Sequence, residues 1–278
     1  MISMAWRRRL AGTELAEALE LARVCTDFDR DAGFSRLSPA VVRGEGRHLL
    51  VRLDDSGGPL VGHLHLDEQS SGTIVVHPDH RSNGVATAVL ETAELVGAHG
   101  WAEGHHPAAE RLARRFGCVV TARIWRSARA LTGPHATDPP SVAARVFEDP
   151  DPRSARTIWR ASGLPERYRP PENGTARLLY AAGPDGPAGY AWLDRGTEIV
   201  DGLRTAALRA VVPAAAGSGT GLALAAGALA RLRDEGAQAV EAGLDPALPR
   251  AVRLARLLGF QRTQDDVRYT LGSPHELR

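Results

Sequence analysis

Apolar and polar positions change period several times along the chain, and each change marks an element. Leu15, Leu19 and Ala22 fall on one helical face, with Glu14, Glu17 and Glu20 off it, which predicts a helix over about Thr13 to Val24. Leu49 to Leu53 and Leu60 to Leu66 flank Asp54-Asp55-Ser56-Gly57-Gly58-Pro59 and predict a β-hairpin. A strand at Thr73 to Val76 then runs through Pro78 into a glycine-bearing loop and a helix. Trp101 to Cys118 reads as a short strand and a helix.

The same order recurs after Leu131. Arg177 to Ala182 and Ala188 to Leu193 flank Gly183-Pro184-Asp185-Gly186-Pro187, with Gly189 early in the second strand as Gly62 is in the first hairpin. Leu208 to Val212 leads through Pro213 into Ala214-Ala215-Ala216-Gly217-Ser218-Gly219-Thr220-Gly221, and Ala239 to Phe260 closes the half. Five features in one order constitute an internal repeat. The proline-rich stretch 132–141 divides it into domains 1–131 and 142–278.

Composition narrows the class. The 278 residues are 43% hydrophobic and 24% charged, as in globular proteins, and the net charge of +1 gives no bulk attraction to nucleic acid or anionic membrane. The basic side chains other than histidine are all arginine, so there is no lysine for a Walker loop. Cys25 and Cys118 are far apart and lack metal-ligand spacing, which points to a reducing cytoplasm and no metal. The N-terminus lacks an apolar run after Arg7-Arg8-Arg9, and glycines interrupt the greasy stretch 211–232, so neither signal peptide nor membrane span is expected.

A helix start leaves backbone N–H groups unpaired beside partial positive charge, and a turn that gathers them forms an anion nest. The candidate donors are Ser82, Asn83, Gly84, Val85, Ala86 and Thr87 in the first half. In the second half they are Gly217, Ser218, Gly219, Thr220, Gly221 and the following Leu222. Glycine lets a phosphate approach the backbone.

Val76-x-Pro78-x-x-Arg81-x-x-Gly84-x-Ala86 resembles the acetyl-CoA loop of the GNAT superfamily of N-acetyltransferases. The segment from Trp101 to Cys118 is similar to the first half of the mycothiol synthase family, whose chains carry two GNAT copies. The resemblance implies an α/β (α+β) fold of two tandem GNAT domains, each a mixed, mostly antiparallel sheet flanked by helices. It also implies acetyl-CoA or another acyl-CoA as co-substrate. Arg81 would join the first nest, and Ile74, Val75, Val76 and the strand around Val211 would pair with the pantetheine arm. A carrier protein's phosphopantetheine presents the same arm, so both donors stay open.

GNAT chemistry is direct attack of an amine on a thioester, which needs a base and is helped by an acid at the leaving thiolate. The tyrosine that many family members use as that acid is replaced by Ala113 and Ala255, and the usual asparagine by His106 and Leu248. His63 and His65 share a strand face, with Asp67 and Glu68 after them, and Glu68 and His65 are the candidate bases. Asp194, Glu198 and Asp201 occupy the comparable region of the second half; Tyr190 and Trp192 read as packing or as the wall of an acceptor pocket. The expectation is an N-acyltransferase acting on a small polar or natural-product amine, as monomer or homodimer. A non-catalytic acyl-CoA-binding regulator is the rival reading, and either half qualifies as the working one.

Overall fold

The computed structural model describes residues 2–34, 42–54, 57–93, 95, 97–138, 145–149, 151–172, 176–215 and 217–272. They form two compact units, one of residues 1–123 with 265–278 and one of 124–264.

In unit 1, β1 (Ile2–Arg7), β2 (Arg47–Leu53), β3 (Leu60–Leu66) and β4 (Gly72–Val76) make an antiparallel sheet in that order. Helix α1 (Gly12–Asp31) covers one face and α2 (Val85–Thr92) the other. Alternation along β2 explains both layers. Leu49 and Val51 pack with Leu64, Val85 and Val89, whereas Leu50 packs with Ala18, Leu21 and Ala22. Strand β3 is buried along its whole length because both faces are covered. Beyond β4 come β5 (His99–Ala102) and α3 (Pro107–Arg115).

Unit 2 repeats this order with β7 (Val146–Glu148), α4 (Arg153–Ser162), β8 (Ala176–Gly183), β9 (Gly186–Val200) and β10 (Leu203–Pro213). Helix α5 (Thr220–Asp234), β11 (Ala239–Leu244) and α6 (Pro249–Leu257) complete it. Strands β7 to β10 are antiparallel, and β10 and β11 run parallel. Leu179, Leu193, Leu224 and Leu229 fill the layer under α5, and Ile158, Tyr180 and Tyr190 the layer under α4.

The closing strands cross over. After α3, β6 (Val119–Ala130) supplies its end to unit 2, where Trp125 to Ala130 pair antiparallel with β11. After α6, β12 (Gln261–Thr270) supplies its end to unit 1, where Val267 to Thr270 pair with β5. The compact units therefore differ from the sequence boundaries at 131 and 142 by one exchanged strand each. The sequence pattern marks neither these strands nor β1 and β7, and helix α1 runs seven residues past Val24.

Within the proline-rich stretch, Thr137 is pinned. Buried Arg129 donates to the carbonyls of Thr137 and Leu258, the latter at the C-terminus of α6, where a cation suits the helix dipole. Among the described residues, no helix is long and apolar enough to cross a membrane. Nor, among them, is any group of three His, Cys, Asp or Glu side chains placed to hold a metal.

Candidate active site

Both glycine loops open a helix in the same way. Gly84 caps α2 with φ 80° and Gly219 caps α5 with φ 75°; neither cap residue offers a side chain, and at α5 Ser218 Oγ accepts from Thr220 N at 3.4 Å. Two residues earlier each loop has a second left-handed residue, Ser82 at φ 63° and Gly217 at φ 84°. That conformation costs Ser82 roughly 1 kcal/mol that glycine avoids. Nothing lies within 4 Å of where a Cβ on Gly84 or Gly219 would stand, so both caps are open on that side.

The approaches differ. Pro78 opens a 3-10 turn beyond β4, whereas Pro213 is the last residue of β10. Gly62 pairs with Val76 and Gly189 with Pro213, so strand end to cap spans eight residues in unit 1 and six in unit 2. The equal proline-to-glycine spacing thus joins positions that are not structurally equivalent.

Arg81 is already committed. Its guanidinium grips both oxygens of Asp29 on α1, one at 3.0 Å, and its Nε donates to Val76 O at 3.0 Å. The Cys25 thiol donates to the same carbonyl at 3.3 Å, and burial pushes that thiol up to about 11. The end of β4 therefore has its carbonyl occupied from within the protein. Towards β5, the described residues show an isolated parallel bridge from Ser71 to His99, with His99 N donating to Ser70 O at 2.9 Å.

The base candidates of unit 1 fall in different places. Glu68 is exposed in the turn after β3. His65 is buried, not a surface residue, and its Nε2 lies 3.1 Å from Glu45 O. It joins His63 and His48, whose rings share a 3.1 Å hydrogen bond. Burial, reinforced by the neighbouring imidazoles, pushes His63 down to about 3, and burial also lowers His48. His105 ends a 3-10 turn, and His106 Nδ1 accepts from Ala108 N at the start of α3. A cavity of about 270 Å³ is lined by Ser3, Ala5, Leu50 and Arg52, away from the loop donors.

Unit 2 has a fork. Strands β10 and β11 pair from Thr205/Ala239 to Leu208/Ala242 and then part. At the parting point β10 is bulged, with Leu208 opposite Leu193 but Ala210 opposite Trp192, and Arg209 is the extra residue. Bulges re-aim side chains in this way beside functional clefts. A cavity of about 180 Å³ lies there, lined by Ile124, Arg167, Tyr168, Trp192, Arg209 and Gly243. Arg209 is held by Asp194, with Nε 3.0 Å from Oδ1, which removes Asp194 as an uncommitted base. Arg167 binds Asp245 at 2.6 Å and donates to the Tyr168 hydroxyl at 2.8 Å. Trp192 Nε1 is buried without a hydrogen-bond partner among the described residues.

Solved structures share this architecture. A tandem GNAT protein from the clavulanic acid biosynthesis pathway superposes with a TM-score of 0.68 at 16% identity, covering 97% of this chain and 98% of that one. A GCN5-related N-acetyltransferase from Sphaerobacter thermophilus gives 0.64 at 17% identity, covering 97% and 96%. No family model matches the sequence. Among curated relatives, a mycothiol acetyltransferase from Sanguibacter keddieii is 33% identical over 79% of this chain and 80% of its own. One from Salinispora tropica is 31% identical over 95% of both. The chain belongs to the tandem GNAT N-acyltransferases.

In this GNAT chain the positions of the family acid are buried alanines, Ala113 and Ala255, with no hydroxyl to offer. Sequence reasoning left Trp192 open between packing and the wall of a pocket, and missed Arg167, Tyr168 and Arg209 as lining of the cavity. Tyr168 lies in a short 3-10 turn among prolines, where no periodicity singles it out, and Arg209 is aimed by a bulge that one strand alone does not reveal.

Proposed function

We propose that the chain moves an acyl group from acetyl-CoA or another acyl-CoA to the amine of a small polar acceptor, with unit 2 as the working site. One observation carries the reading: a glycine-led helix start at Gly219 stands on the same unit as forked strands and the cavity that lines the fork. The N–H groups from Gly217 to Leu222 hold the pyrophosphate, and the edge of β10 around Val211 pairs with the pantetheine arm. Each charged hydrogen bond contributes roughly 1.5–3 kcal/mol, so four or five suffice for micromolar binding after association costs. The thioester then rests at the fork. The relatives' name, mycothiol acetyltransferase, supports a small amine acceptor for this chain too.

In unit 1 the loop from Ser82 to Thr87 has the conformation of a donor site, but Arg81 and Val76 serve the fold. This favours a scaffolding unit. Native mass spectrometry with acetyl-CoA on the wild type, Gly84→Glu and Gly219→Glu tests the assignment. The expected result is one CoA per chain, lost only with Gly219→Glu. Loss only with Gly84→Glu reverses the assignment, and no binding by the folded wild type transfers the donor role to a carrier-bound thioester.

A further inference from the structure

We infer that Tyr168 is the proton donor to the leaving thiolate in unit 2, taking over from outside α6 the part left vacant by Ala255. The inference rests on the acyl transfer proposed above.

Four observations converge on Tyr168. It lines the cavity at the β10–β11 fork, together with bulge residue Arg209 and with Gly243, the first residue of β11 beyond the last paired position. Its hydroxyl oxygen accepts a hydrogen bond from Arg167 Nη2 at 2.8 Å, and the nearby Asp245 backbone favours its phenolate form. The hydroxyl donates to no acceptor among the described residues, so its proton is available to a ligand. Third, the backbone is fixed: the Tyr190 hydroxyl donates to Tyr168 O, and Arg167 is anchored on Asp245. Fourth, Trp192 on the wall of the same cavity carries a buried N–H with no partner. A built cavity with two unspent donors fits a ligand rich in acceptors, and a thioester in reaction presents two, its carbonyl oxygen and its sulfur.

The step balances without a further reagent. The neutral amine attacks the thioester carbon, the C–N bond forms, and the C–S bond breaks with its electron pair passing to sulfur. Tyr168 gives its proton to sulfur, and the phenolate is held by Arg167 and the Asp245 backbone. The proton shed by the amide nitrogen returns to the phenolate through solvent, leaving an amide and a free thiol. Burial raises the Tyr168 hydroxyl above the usual phenol range and Arg167 opposes that rise, so the group stays protonated at neutral pH.

The experiment uses the full chain as wild type, Tyr168→Phe and Tyr180→Phe. Tyr180 is a buried tyrosine of the same unit whose hydroxyl is spent on Asp151 O, and its variant controls for loss of a core hydroxyl. Thiol release from acetyl-CoA is followed with glucosamine, cysteine methyl ester and spermidine as acceptors between pH 6.5 and 10.5, and acetyl-CoA binding is measured by calorimetry. Tyr168→Phe is expected to lower kcat about 100-fold. The acetyl-CoA Kd should stay within twofold, and the fall of kcat expected of the wild type at the alkaline end should be absent from the variant. Tyr180→Phe should keep wild-type turnover. The inference is overturned by Tyr168→Phe turnover within threefold of wild type, by a loss that follows weakened acetyl-CoA binding, or by a surviving high-pH limb; in each case acyl transfer itself stands. Absence of thiol release by the wild type with every amine overturns the acyl-transfer reading, and this inference with it.

Discussion

Equivalent strand faces in the two units have been put to opposite uses. Counting from Gly62 and Gly189, His63 and His65 of β3 correspond to Tyr190 and Trp192 of β9, and the cross-strand neighbour His48 to Leu178. In unit 1 three small imidazoles close on one another and on the Glu45 carbonyl. In unit 2 larger aromatic rings hold Tyr168 at a cavity. The loops diverge likewise. Unit 1 retains the arginine of the family motif but spends it on Asp29 and its own strand end, whereas unit 2 has two left-handed glycines before α5 and a fork between β10 and β11. A motif can thus survive in sequence where its groups have been diverted into packing, and fade where the backbone geometry remains.

The glycines bear most heavily on that contrast. Gly219→Glu is expected to weaken acetyl-CoA binding on the order of 1,000-fold by turning a carboxylate onto the nest, whereas Gly84→Glu should leave it within about threefold. Isothermal calorimetry checks both, and equal losses would erase the distinction between the units.

Arg81→Ala sharpens the same contrast. Removing one member of a largely buried ion pair should cost about 2 kcal/mol of stability, read from urea unfolding, with acetyl-CoA affinity unchanged. Weakened CoA binding at unchanged stability would return Arg81 to the ligand.

The histidine cluster should make unit 1 the acid-sensitive one. His63 is lowered to about 3 in the folded protein, so below an unfolded value near 6.5 the unfolded chain binds more protons and stability falls with pH. The contribution is complete above pH 6.5, is reduced by about 1 kcal/mol between pH 7.5 and 5.5, and keeps falling towards pH 3. His63→Gln should flatten that slope in thermal melts at the two pH values; an unchanged slope would place the acid sensitivity elsewhere. The smallest effect is reserved for Glu68→Gln. With the working site in unit 2, the exposed Glu68 should be dispensable, and thiol-release rates should change less than about twofold. A loss of about 100-fold would instead establish it as the base.

The hairpins, the glycine loops and their helices were legible because each depends on local rules: alternation, turn residues, and left-handed positions at Gly84 and Gly219. The exchanged strands were not. Residues 119–130 of β6 carry four arginine or threonine side chains and alternate only weakly, and pairing of that strand with β11 is decided more than one hundred residues later in the chain. The fate of Arg81 was equally hidden, since Asp29 lies 52 residues away in a part of α1 beyond the predicted helix end.

The sequence by itself determined the repeat, the order of elements in each half and the two glycine-led helix starts, because those are properties of neighbouring residues. Tertiary structure alone decided which side chains line the cavity at the fork of unit 2 and how they are paired. Those depend on a bulge at Arg209, on the parting of β10 from β11 and on the meeting of Tyr168 with Arg167 and Asp245. Such features arise from side chains brought together across the sheet, and no window along the chain contains them.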